Sequence, residues 1–240
     1  MYLRGQMLAE GENYHVYNRG AHKHDIFTSD EDRERFLLLL YLYNTRDHVV
    51  MRDVLSKYSA KRFKGRGFAE IFKHEYSEKS LVDILAYTLM PNHFHLVLRS
   101  KTDNGIQQFL QKICGAYSMY FNARYDHSGT LFQGRYQSKR IDTESYFRYL
   151  FAYVHLNPLD LLQSDWKDKG IRCARKARLF LSEYRFSSFK DHIDERPERA
   201  ILADELPDFF DAQDDLDELI KSETHRVHEK HAEYTKLRAL

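Results

Sequence analysis

Two histidines, His93 and His95, stand one residue apart in the stretch YTLMPNHFHLVLRS. On a strand they share one face, their Cα atoms roughly 6.5 Å apart, while Phe94 points the other way. Two imidazole nitrogens so placed can converge on one divalent ion while the strand between them stays anchored in a core. A metal centre needs a further ligand from another element, and a strand histidine is more often a hydrogen-bonded core or surface residue than a ligand. The stretch YVHLNP holds Tyr153 and Asn157, four residues apart and one turn apart on a shared helix face, which sets a phenol beside an amide oxygen. Spacing alone leaves a plainer reading open and favours it: Tyr146, Phe147, Leu150, Phe151 and Tyr153 form an apolar stripe, and Asn157 caps the helix.

These residues can act together only if the chain around them forms the right elements. NYHVYNRG (13–20) alternates and ends at Gly20, which predicts a strand with Tyr14 and Val16 on one face and His15 and Tyr17 on the other. SDEDRERFLLLLYLYN (29–44) predicts a helix capped by Ser29 or Asp30. LVDILAYTLM and HFHLVLRS flank Pro91-Asn92 as a hairpin, so the two histidines follow its turn. Residues 105–129 predict an amphipathic helix with Phe109, Ile113, Ala116, Tyr117 and Tyr120 on one stripe, ending near Gly129. Residues 143–158 predict a helix opened by Thr143 and closed near Asn157, because Pro158 biases the preceding residue away from helix. The basic, aromatic stretch 57–79 has no clear period and reads as a loop or broken helix; beyond Trp166 the chain is helix-prone. In TLFQGRYQSKRI, Arg135, Lys139 and Arg140 are interleaved with Phe132 and Tyr136. That mixture suits phosphate contacts and base stacking.

Net charge is +1 over 240 residues, which by itself selects no partner. Its distribution says more: residues 204–240 hold 11 acids and 5 bases, leaving 32 bases against 25 acids in residues 1–203. A mildly basic body with an acidic tail suits a polyanionic ligand, weakly. No run approaches 18 apolar residues and the start has no signal-peptide core, so a cytoplasmic location is expected. Cys114 and Cys173 lie in no metal or redox spacing and are expected to be reduced.

MPNHFH, an aromatic helix, GTLFQGRY and YVHLNP, in that order, closely resemble the single-tyrosine HUH transposases, especially the REP-associated tyrosine transposases, and HVYNRG resembles that family's first strand. The resemblance covers about residues 10–165. It implies an α+β fold, an antiparallel sheet flanked by helices with a ferredoxin-like HUH core, over a domain of residues 1–165. Residues 166–240 would then be a helical C-terminal extension with an acidic segment. By the same resemblance His93 and His95 hold a divalent metal, Mg²⁺ or Mn²⁺, with Asn157 as third ligand, and Tyr153 is the nucleophile. The implied activity is metal-dependent cleavage and strand transfer of single-stranded or hairpin DNA from palindromic elements, through a 5′-phosphotyrosine intermediate. Two imidazoles favour Mn²⁺ over the oxygen-seeking Mg²⁺. A homodimer stays open. The rival readings are a catalytically silent DNA-binding regulator of the same fold, against which the intact Tyr153, His93, His95 and Asn157 set argues, and a metal hydrolase, which lacks further ligands in matching contexts. His15, recommended by family position and not by chelate geometry, is expected to matter little.

Overall fold

The computed structural model describes residues 8–53 and 79–193, and nearer the C-terminus 201–203, 206–208, 210, 216–218, 220 and 222. The stretch 57–79, apart from Lys79, and most of the acidic segment lie outside the described residues.

Four strands, β1 (Asn13–Arg19), β2 (Val82–Met90), β3 (His93–Ser100) and β4 (Gln137–Ile141), form one antiparallel sheet in the order β2-β3-β1-β4. Helix α1 (Asp30–Leu42) joins β1 to β2, and α2 (Gly105–Tyr125) joins β3 to β4. This βαββαβ order with the central strands β3 and β1 is the ferredoxin-like arrangement, so the α+β architecture expected from sequence is the one the chain adopts. The strand period of two divides the apolar residues between two faces. Tyr14, Val16, Tyr87, Leu89, Phe94, Leu96 and Leu98 pack with α1 and α2 in one core cluster. Leu85, Ala86 and Val97 pack on the other side against α3 (Glu144–Leu156). A register shift between Ile84 and Ala86 inserts Leu85 as an extra residue, which explains how two consecutive residues reach the same side.

Helix ends follow their capping chemistry. Ser29 accepts from the Asp32 N–H while the Asp32 carboxylate accepts from the Ser29 N–H, a capping box at the start of α1. Asp32 is fully buried and also accepts from the hydroxyls of Tyr120 and Tyr125 on α2, tying the two helices together. Helix α2 stops at Tyr125, short of Gly129, because Asp126 takes a left-handed conformation (φ 49°) and ends the turn, its N–H donating to the Asn122 carbonyl. Thr143 accepts from the Tyr146 N–H to open α3. At the other end Asn157 keeps helical dihedrals despite Pro158, and the chain turns directly into α4 (Leu159–Leu162).

The hairpin turn is clamped from outside: the Pro91 carbonyl accepts from Ile26 and Phe27, and the Asn92 carbonyl accepts from Gly20. Gly20 is required by this approach, since a Cβ there would lie 2.1 Å from the His24 carbonyl oxygen. Three further helices, α5 (Trp166–Lys169), α6 (Ala174–Glu183) and α7 (Phe189–Ile193), follow, and a short 3-10 turn (Ala21–Lys23) lies after β1. Trp166, Ile171, Ala177, Leu181 and Phe189 share a core cluster with Leu150, Phe151 and Val154 of α3. Among the described residues no helix is long and apolar enough to cross a membrane. Cys114 and Cys173 are free thiols, and burial pushes Cys114 up to about 12.

Candidate active site

The site lies between the sheet and α3, on the face opposite α1 and α2. The ladder pairs Arg19 with His93, Tyr17 with His95 and His15 with Lys139, so all six side chains belong to this face. Helix α3 crosses above them. It is fixed in height by Thr88 on β2, whose hydroxyl donates to the Val154 carbonyl at 2.7 Å. From behind, His155 Nε2 lies 2.7 Å from Ser188 Oγ, and Ser188 also bonds the backbone of Tyr87.

This anchoring brings the four motif residues together. The Tyr153 ring meets His95 edge-on with centroids 5.5 Å apart, and Asn157 Oδ1 lies 3.3 Å from His93 Nε2. Tyr149 stacks behind Tyr153 at 6.2 Å, one turn further from Asn157. Asn157 is fully buried, His95 nearly so, and His93 and Tyr153 are half-buried, so the site opens at one end.

His93's tautomer follows from its neighbours. Asn92 Nδ2 donates to the Lys23 carbonyl, which turns Asn92 Oδ1 toward His93 Nδ1 at 2.6 Å. Nδ1 therefore carries the proton. Burial holds His93 down to about 4, against a smaller upward pull from Asn157, so the ring is neutral at physiological pH and Nε2 is a bare lone pair. That lone pair faces another acceptor, Asn157 Oδ1, while Asn157 Nδ2 is buried without a partner among the described residues. Two converging acceptors are what a cation would satisfy. Turning the amide over would instead make an ordinary Nδ2-to-Nε2 hydrogen bond, so metal titration distinguishes the two arrangements. Among the described residues no group of three or more His, Cys, Asp or Glu could hold a metal. A metal on this donor set would therefore draw on the amide oxygen of Asn157 beside the two imidazoles.

His15 is better placed than the sequence suggests. It is fully buried, its Nε2 lies 2.9 Å from His95 Nδ1, and the two rings stack with centroids 5.1 Å apart. Burial holds His95 well below the usual histidine range and, with the Lys139 charge, holds His15 down to about 3. Both are neutral, and one proton lies between them. If His95 Nδ1–H donates to His15, His95 Nε2 is a lone pair free to ligate; the reverse tautomer removes that ligand. Chelate spacing could not show this, because the contact is cross-strand and diagonal.

The three predicted DNA-contacting cations are placed differently. Lys139 lies on the site face, with its ammonium 4.4 Å from the Tyr146 ring centroid. Arg140 points to the opposite face, as its neighbour on a strand must, and is held by Glu12 through two bonds of 2.9 and 2.6 Å. Arg135 is exposed in the segment before β4. Two cations not singled out by sequence border the histidines. Arg19, paired with His93, has a buried Nε without a partner among the described residues. Lys167 lies 5.5 Å from the Tyr153 ring centroid. Arg19 could have been found as the last residue of an alternating strand; Lys167 carries no motif.

Residues 41–157 match a family model described as "Transposase IS200 like". No curated protein matches the chain. Among solved structures, a REP-associated tyrosine transposase bound to a REP hairpin is 12% identical, with 88% of this chain and 96% of that chain covered and a TM-score of 0.45. The tRNA(His) guanylyltransferase of Saccharomyces cerevisiae is 10% identical, with 77% of each chain covered and a TM-score of 0.34. Neither structural likeness bears weight, and the similarity to the family is that of residues 41–157.

Proposed function

Residues 41–157 are similar to the IS200-like transposases, and from that premise we propose that the chain belongs to that family and cuts and rejoins single-stranded DNA through a covalent link to Tyr153. The observation that supports this reading best is the placement of a half-buried tyrosine against His95, with His93 and Asn157 converging one turn away. A phenol and a set of neutral donors at the open end of one sheet face suit in-line attack on a phosphodiester.

Tyr153 Oη attacks phosphorus and the bond to the 3′-oxygen breaks, leaving a 5′-phosphotyrosine and a 3′-hydroxyl. The 3′-hydroxyl of another strand reverses the step, so no nucleotide cofactor is consumed. His93 Nε2, His95 Nε2 and Asn157 Oδ1 would hold a divalent ion, which when bound supplies Lewis-acid polarisation of the scissile phosphate. His15 orients His95, Asn92 orients His93, and Thr88 keeps the nucleophile's helix at its height above the sheet. Lys139 on the site face and Arg135 near it would hold flanking phosphates. Because Arg140 is committed to Glu12 on the other face, its share in DNA binding would be smaller.

The test is a denaturing gel of the full chain with Mn²⁺ and oligonucleotides from any imperfect palindrome flanking its gene, offered as hairpins with single-stranded flanks. Tyr153→Phe should abolish the covalent adduct and leave DNA affinity within about threefold, since the hydroxyl serves the chemical step. Tyr149→Phe should keep the adduct. Adduct lost in Tyr149→Phe and kept in Tyr153→Phe would move the nucleophile one turn back. Tight hairpin binding with no adduct from the unaltered protein would favour a regulator of the same fold.

A further inference from the structure

We propose that Lys167, beyond the family-matched segment, is part of the strand-transfer site: a cation held at Tyr153 to answer the negative charge that develops as phosphorus is attacked. The proposal rests on the reading of Tyr153 as nucleophile and assigns a role to the helices that follow α3.

The geometry is specific. Lys167 Nζ lies 5.5 Å from the Tyr153 ring centroid and 2.6 Å from Asp160 Oδ2, with its side chain only 24% exposed. Asp160 is itself aimed by Trp166, whose buried indole N–H donates to the other carboxylate oxygen at 2.7 Å. Trp166 belongs to the core cluster beneath α3, so the backbone that carries Lys167 is fixed to the same packing that fixes the helix bearing Tyr153. The cation is thus placed by one carboxylate and one buried indole, which a freely moving surface lysine would not be. Its charge reaches both His93 and His95, as does that of Arg19. Lys167 and Arg19 act on the two imidazoles that would hold the ion, His93 and His95, while Lys139 acts on His15 behind them.

Chemistry gives this cation its task. When Tyr153 Oη forms its bond to phosphorus and the bond to the 3′-oxygen breaks, the phenolic proton is released to solvent and the departing 3′-oxygen takes one up. In between, negative charge grows on the non-bridging oxygens and on the leaving oxygen. A fixed ammonium at the rim stabilises that charge more than it stabilises the bound ground state, since it is already oriented when the charge appears. Asp160 keeps the cation from collapsing onto the phosphate in the ground state. Lys167 therefore acts on the rate of the step more than on affinity.

The experiment compares the unaltered full chain with Lys167→Met, Lys167→Arg and Asp160→Asn, using the oligonucleotide hairpin and Mn²⁺ at saturating protein. Single-turnover adduct formation should fall about a hundredfold in Lys167→Met, while hairpin affinity changes by less than about threefold. Lys167→Arg should recover most of the rate, and Asp160→Asn, which keeps a partner for Trp166 but frees the ammonium, should lie between. An unchanged rate in Lys167→Met overturns the proposal. So does a loss of affinity equal to the loss of rate, which would make Lys167 a plain phosphate tether. So does equal loss in Lys167→Met and Lys167→Arg with lowered thermal stability in both, which would make it structural. These outcomes leave Tyr153 as nucleophile; adduct formation by Tyr153→Phe would remove that premise and the role of Lys167 with it.

Discussion

His15 shows how a residue can sit at the centre of a site without taking part in its chelate spacing. Its contact with His95 crosses from β1 to β3 and is offset from the ladder partner, since His15 pairs with Val97 and His95 with Tyr17. Both rings are buried and neutral, so the bond between them fixes which nitrogen of His95 faces outward. If His95 is the donor in this bond, removing its partner with His15→Phe should lower Mn²⁺ affinity by about tenfold or more while the fold survives. Isothermal calorimetry in the absence of DNA checks this, with His95→Ala as the variant that binds no metal at this site. Unchanged Mn²⁺ affinity in His15→Phe would remove His15 from the site and restore the expectation drawn from spacing.

Helix α3 is the element on which the chemistry depends, and its position is set by polar contacts from beneath as well as by its apolar stripe. Thr88 reaches up from β2 to the Val154 carbonyl, a residue away from Tyr153. Thr88→Val keeps the shape, leaves that buried carbonyl with one bond fewer, and should cost about 1 kcal/mol in denaturant unfolding. It should also slow adduct formation more than it weakens DNA binding, because the nucleophile is no longer held at one height. A variant with unaltered stability and rate would mean that the apolar packing of Leu150, Phe151 and Val154 positions the helix unaided. The stripe itself was legible: Tyr146, Phe147, Leu150 and Phe151 are buried together, joined by Val154, which the spacing did not single out. The plainer reading of the spacing holds for the stripe, and Tyr153 lies at its edge, half-buried, where the helix leaves the core.

Across the whole molecule, the seam between α3 and the later helices holds two histidines, His155 fully buried and His192 half-buried. His192 Nε2 bonds the Leu85 carbonyl, and burial, opposed in part by that bond, holds the ring down to about 4; His155 is held well below its usual range by burial and by His192. A histidine whose folded value is lowered is neutral when folded and takes up a proton when unfolded. The stability it contributes is complete above the unfolded value of 6.5 and is lost as pH falls toward the folded value. The protein should therefore lose stability steeply between about pH 6.5 and pH 4, by about 1.4 kcal/mol per pH unit for each such ring. His192→Gln, which can still donate to Leu85, should flatten the loss by about one ring's share. Chemical denaturation across that pH range checks the slope, and a flat profile would show that these rings are not buried in solution as they are in this structure. By itself the sequence determined most of the elements and the motif residues: the alternation of 13–20, the Pro91-Asn92 turn between two apolar runs, a cap at Ser29 or Asp30 and the four-residue spacing of Tyr153 and Asn157 are local, and local sterics and periodicity decide them, whereas the basic stretch that forms β4 showed no strand period. Only the tertiary structure decided which of those residues meet. The bond from His15 to His95, the separation of Lys139 from Arg140 across the sheet, and the arrival of Lys167 at Tyr153 all depend on strand pairing and on helices packed from distant parts of the chain, and no spacing within one segment encodes a contact made between two.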